Sequence, residues 1–165
     1  MIVVAEKLSE IALNERDQDN FDLFGRSAFN RFYYASYLIT RDMLGQCNPV
    51  WAKTSHKEIP NLLNDCVAKR IKEAIRNQAG KLISHHDGKL MAQEATAAIV
   101  PLAQLLTSAY AVRCVADYEP GQRIQPAQKS FELIGHSNHA ANAWPKRTTT
   151  YTRTILKIWK RLGLS

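Results

Sequence analysis

Arg113, Asp117 and Tyr118 close a long apolar segment of the chain, and their types and spacing could do chemistry together. Arg113 and Asp117 stand four apart, so on a helix they share a face. A guanidinium beside a carboxylate and a phenol can hold a phosphate and orient a substrate. The plainer reading is an ion pair that closes the helix, a common arrangement that often contributes little. Arg31 and Tyr34, three apart, also share a helical face. An Arg beside aromatic rings can stack on bases or hold phosphate. Tyrosines at helical spacing also serve as core residues whose hydroxyls reach the surface. The histidines offer different chemistry. His56, His86-Asp87 and Asp117 follow one another in an order that could hold one or two divalent ions and activate water. Against that stands an ordinary polar turn, with Asp87 capping the next helix. His136 and His139, three apart on a predicted helix, could ligate a metal or simply face solvent.

The elements that must position these groups read as helical almost throughout. Ile2, Val3, Leu8, Ile11 and Ala12 mark one face of a first helix. Leu23, Phe24, Ala28, Phe32, Ala35, Leu38 and Ile39 mark a second, over about 22–45, with Gly45 as its stop. A third begins near Ser55, with an irregular first turn at Pro60. LISHHDGK is a connection. Leu90 to Val112 carries a wide apolar stripe in a segment spanning 89–118, which Pro101 should kink. EPGQRIQP reads as a loop, followed by a predicted helix from Pro126 to about Ala143. Pro145 punctuates again. The last segment is a basic amphipathic helix with Tyr151, Ile155, Ile158, Trp159 and Leu162 on one face. No strand-period run is long enough for a sheet. The expected fold is all-α, an antiparallel bundle of four to six helices over 1–145, with a C-terminal basic helix over 146–165.

Composition narrows the classes. The 165 residues are 45% hydrophobic and 22% charged, which excludes a disordered chain and suits a single domain. No apolar run reaches the ~18 residues that span a bilayer, and the start turns charged at Glu6, so a cytoplasmic protein without membrane contact is expected. Cys47, Cys66 and Cys114 match no zinc framework. Cys66 and Cys114 lie among apolar residues and read as buried, inert thiols. The net charge of +7 is uneven: from Leu133 onward there are six bases and no acid. Such a stripe favours a polyanion, most often nucleic acid. Lys146, Arg147, Arg153 and Lys157 are the expected phosphate contacts of the final segment.

Three blocks carry a resemblance. GRSAFNRFYYASYLITRDML, with Tyr33-Tyr34-Ala35, resembles the second helix of HEPN domains, in which an Arg precedes Tyr-Tyr-Ala. Ser55-His56-Lys57 looks like the start of that family's next helix. Arg113-Cys114-Val115-Ala116-Asp117-Tyr118 looks like the RxxADY end of a later helix in one HEPN branch. The blocks occur in the family's order and cover roughly residues 5–145.

The resemblance implies a helical bundle, often a homodimer, with a role in RNA cleavage, toxin–antitoxin pairs or antiphage defence. That branch is often paired with a small nucleotidyltransferase or another partner protein. Active HEPN ribonucleases use an Arg followed four to six residues later by His, without metal or other cofactor. The Arg would steady the scissile phosphate while the His moves a proton at the ribose 2′-OH. No Arg in this chain has a His at that spacing; Arg113 has Tyr118 where the shortest version places His. A phenol is a poor base at neutral pH. Two readings follow: an RNA-acting protein, potentially an endoribonuclease, with Arg113, Asp117 and Tyr118 catalytic and Arg31, Tyr34 and His56 beside them; or a non-catalytic module that binds a nucleotide, nucleic acid or partner protein. A third reading is lesser: His56, His86, Asp87 and Asp117 resemble, in their order, the ligands of HD-type metal phosphohydrolases.

Overall fold

The computed structural model describes residues 1–164, and 77% of the chain is helical. The fold is an all-α helical bundle with one small sheet. In chain order it comprises α1 (Ile2–Asn14), α2 (Gln18–Cys47), a 3-10 turn (Pro49–Lys53), α3 (Ile59–Asn61), a π-helix (Leu62–Val67), α4 (Ala68–Gln78) and α5 (His85–Tyr118). Strands β1 (Gln125–Ala127), β2 (Ser130–Leu133) and β3 (His136–Ser137) follow, then α6 (Asn138–Arg161). The chain divides into two compact units, one formed by Met1–Leu38 with Thr107–Arg147, the other by Ile39–Leu106 with Thr148–Ser165.

The first unit is organised around an antiparallel β-meander in the order β1-β2-β3, with Pro126 opposite Phe131 and Leu133 opposite His136. The helix expected from Pro126 to Ala143 is therefore replaced by strands up to Ser137. Phe131 and Leu133 point inward and Glu132 outward, the alternation of a half-buried strand. Phe131 is fully buried and meets the rings of Phe21 and Phe29 edge-on at 6.0 and 5.7 Å. Gly25 makes room for this packing: a Cβ there would overlap Ile124 Cδ1 and come within 3.2 Å of Phe131. The two-residue turn between β2 and β3 places Ile134 at φ 44° and Gly135 at φ 78°. Both central residues of such a turn need positive φ, which Ile adopts only under strain.

Helix α1 departs from its expected face. It buries the small residues Ala5, Ser9 and Ala12, while Ile2, Val3 and Ile11 are exposed.

In the second unit, Ile59, Leu63, Val67, Ile71 and Ile75 are all buried, one every fourth residue. On a regular α-helix a strict four-residue repeat drifts by about 40° per step. The wider turns of the π-helix offset that drift and keep the stripe on one face. Pro60 sits in the first turn of α3, where its missing N–H costs nothing, so the irregular start expected there is present. Trp159 of α6 packs edge-on against Trp51 at 5.8 Å, and the Arg70 guanidinium of α4 lies 5.0 Å from the Trp51 ring. Cys66, on the π-helix, is exposed rather than buried; Cys114 is half-buried and Cys47 buried.

Helix α5 runs unbroken through Pro101, and α6 runs unbroken through Pro145, so the boundary expected at 145/146 falls inside one helix. By length and composition α5 could cross a membrane, contrary to expectation from its sequence; half of its most apolar window is buried within the protein.

Candidate functional site

A polar ladder on α2 builds the site. Asp22, Arg26, Asn30 and Tyr34 recur every four residues and form one slowly turning stripe. Each rung holds a different part of the C-terminal end of α5 or the loop that follows. The Asp22 carboxylate accepts from the Ile124 backbone N–H at 2.8 Å. Arg26 donates to four carbonyls, those of Val115, Ala116, Glu119 and Gln122, at 2.6–3.1 Å. Val115 and Ala116 lie in the last turn of α5; the Val115 carbonyl already accepts from the Glu119 backbone N–H at 3.1 Å, and Arg26 adds donors to both carbonyls, capping the C-terminal end of the helix. Asn30 donates a short hydrogen bond to Asp117 Oδ1. The Tyr34 hydroxyl accepts from Arg113 Nη2 at 3.4 Å.

Held this way, the end of α5 presents a compact cluster. Arg113 Nε lies 2.8 Å from Asp117 Oδ2, and both side chains are largely buried. That N–H is not aimed along a hydrogen bond to the carboxylate, so charge attraction holds the pair rather than a directed bond. The Arg113 guanidinium also lies 5.7 Å from the Tyr34 ring and 5.0 Å from the Tyr118 ring, and donates to the Tyr118 hydroxyl at 3.3 Å. Burial works against the charge on Arg113. The Tyr118 hydroxyl and then the Asp117 carboxylate outweigh that burial, and the guanidinium is held above its ordinary range. Behind the pair, Tyr33 stacks on Tyr37 at 6.3 Å and meets Tyr110 at 5.8 Å. Burial, followed by Tyr110 and Tyr37, pushes the Tyr33 phenol above its usual range. A hydrogen bond with Cys114 raises Tyr110. Both phenols therefore keep their protons at neutral pH.

A cleft of about 480 Å³ opens beside the cluster, lined among others by Arg26, Asn30, Arg31, Asp117 and Arg123. Its cations are unequal. Arg26 is committed to carbonyls, and Arg123 pairs with Asp19 at 2.9 Å. Arg31 is exposed and has no hydrogen bond or ion pair among the described residues. Tyr118 is 68% exposed, so one side of its ring is open. The arrangement can hold a phosphate at Arg31 and stack a planar ring on Tyr118.

Of the residues singled out in the sequence, Arg113, Asp117, Tyr118 and Tyr34 come together, with Arg31 in the adjoining cleft. His56 lies in the turn before α3, in the second unit. Lys146 and Arg147 fall on the first-unit part of α6, and Arg153 and Lys157 on its second-unit part, where Lys157 sits 3.8 Å from Glu94. The metal reading of His56, His86, Asp87 and Asp117 is corrected. Among the described residues no group of three or more His, Cys, Asp or Glu is placed to hold an ion. At the start of α5 the Ser84 hydroxyl instead accepts from the Asp87 backbone N–H at 3.0 Å and donates to the Asp87 carboxylate at 2.9 Å, so Ser84 caps the helix. Asp117 is occupied by Arg113 and Asn30. His136 and His139 do not share a helix: His136 is on β3, its ring 5.9 Å from Trp144, and His139 begins α6. Asn30 and Arg26 carry more of the site than their sequence context suggested, and the four-residue repeat from Asp22 was the signal available.

Comparison with protein-family models, with curated proteins and with solved structures finds no match for this chain.

Proposed function

We propose that this chain is a cytoplasmic HEPN-like RNA-binding protein of a toxin–antitoxin or antiphage-defence system. The Arg113 cluster and its cleft are the RNA-facing site. The observation that carries this reading is an uncommitted cation, Arg31, in a cleft it lines with Asp117, while the exposed ring of Tyr118, next in sequence to Asp117, lies against the charged Arg113 guanidinium. Arg31 would take a phosphate, Tyr118 a base, and Asn30 and Asp117 would keep Arg113 oriented toward both. Binding is favoured over cleavage because no imidazole stands at the usual spacing from Arg113 and Asp117 is tied down on both sides. The family resemblance adds a homodimer and a cognate partner, either a nucleotidyltransferase or an antitoxin, to the same proposal.

Labelled RNA incubated with the full chain, with and without EDTA, tests it. The expected result is a shifted, intact RNA, with Tyr118→Ala losing the ~1–3 kcal/mol that stacking one base supplies. Cleavage that survives EDTA and disappears in Arg113→Ala would replace binding with metal-independent catalysis. RNA that neither shifts nor breaks overturns the reading. Light scattering checks the dimer.

A further inference from the structure

The net charge of the chain lies in one unit. The first unit carries nine Lys and Arg against nine Asp and Glu, while the second carries thirteen against six, the whole +7. Within the second unit, Lys69, Lys72 and Arg76 of α4 line a cleft of about 370 Å³ together with Asn64 and Glu73. The three cations follow one another along α4 at rises of about 4.5 and 6 Å. All three are exposed, and none has a hydrogen bond or ion pair among the described residues, Glu73 in their midst notwithstanding. Leaving three like charges unpaired on one helical face is mildly destabilising. Asn64 joins them from the π-helix, whose wide turns rotate it toward α4. Such helical distortions frequently mark functional sites. A further contact extends the basic surface. Gln78 at the end of α4 donates to the Leu162 carbonyl at 2.8 Å, which brings the last turn of α6, with Lys160 and Arg161, against the last turn of α4.

We infer that this cleft is a second binding site, distinct from the Arg113 cluster, that tracks the phosphodiester backbone of a nucleic acid without reading its sequence. Closely spaced, unpaired cations along a shallow polar groove suit a chain of phosphates, and releasing their counterions drives the binding. Asn64 supplies a neutral donor to the same chain. An anionic bilayer is the less suitable partner. The outward face of α4 is made of Lys, Arg, Glu and Asn, with Ile71, Ala74 and Ile75 all turned inward. Helices that lie on membranes need apolar side chains to insert.

The test compares the full chain with its K69Q/K72Q/R76Q variant, whose helical content and melting are checked first. The probes are two unrelated single-stranded RNAs and one DNA of equal length, titrated across a salt series. The variant is expected to bind all three more weakly by a similar factor, with the salt slope reduced by about 2–3. Tyr118→Ala should weaken RNA binding while leaving the salt slope intact, which separates this site from the Arg113 cluster. Lys69, Lys72 and Arg76 are all exposed, so a folded triple variant is expected. If it fails to fold, the single K72Q variant must lower the slope by about 1. An unchanged affinity and slope in a folded variant overturns the proposal. So does wild-type protein that binds phosphatidylserine vesicles and no nucleic acid.

Discussion

The two units hold their charges differently. In the first, Arg26 is consumed by carbonyls, Arg113 by Asp117, Arg123 by Asp19, and Asp22 by a backbone N–H. In the second, Lys69, Lys72 and Arg76 stand together without partners. The first arrangement builds a shape, with the charges around its cleft serving as struts and Arg31 left unspent among them. The second builds a field, which acts at a distance and fades with salt. A count of Lys and Arg treats both alike. Affinity for a polyanion depends on how many cations are unspent.

Breaking the aromatic packing of the first unit should have the largest effect. Phe131→Ala removes the ring that Phe21 and Phe29 enclose and is expected to cost about 3–5 kcal/mol in denaturant unfolding. Hydrogen exchange should then rise first around residues 124–137. Next comes Gly25→Ala, which sets a methyl against Ile124 and Phe131 and should cost about 1–3 kcal/mol. Asp117→Asn keeps the shape of the cluster while removing its countercharge. A loss of about 1–3 kcal/mol is expected, with Arg113 still charged. A variant as stable as the wild type would mean that the struts of the first unit carry no load.

In the second unit, burial pushes the Cys47 thiol up to about 12 from its ordinary 9.0. The folded state therefore keeps the proton that the unfolded chain releases. Its contribution is complete below pH 9 and is lost as pH rises from 9 toward 12. Unfolding midpoints measured at pH 8 and pH 10 should differ in the wild type and differ less in Cys47→Ala. A thiol reagent at neutral pH should label Cys66 and spare Cys47. The smallest effect has the opposite sign. Ile134→Gly relieves the positive φ of the β2–β3 turn and should raise stability by about 1 kcal/mol.

Most helices were legible from apolar spacing, because one buried stripe per helix is what this fold requires. The meander was not. Its turn is Ile134-Gly135 rather than Asn-Gly, and only Phe131, Glu132 and Leu133 show the alternation, too short a run to outweigh the proline-led helix signal at Pro126. The face of α1 was misread because small residues, not large ones, are buried there. At the site, Arg113, Asp117 and Tyr118 were legible because they are neighbours on one helix. Of the α2 partners, Tyr34 and Arg31 were expected beside them, but the roles of Arg26 and Asn30 were not, since which face of α2 meets α5 is settled by tertiary packing. The metal order dissolved for the same reason, as order along the chain says nothing of proximity.

The two units are interleaved along the chain: residues 39–106 of the second interrupt the first, and 107–147 of the first interrupt the second. During synthesis this imposes a schedule. When the ribosome has made residue 106, the first unit still lacks the end of α5, the sheet and the start of α6. When it has made residue 147, the second still lacks Ile155, Ile158 and Trp159. Neither core can close early, so the nascent chain must carry exposed apolar stripes until nearly all of it has emerged, the period in which it is most open to capture by chaperones or by a partner.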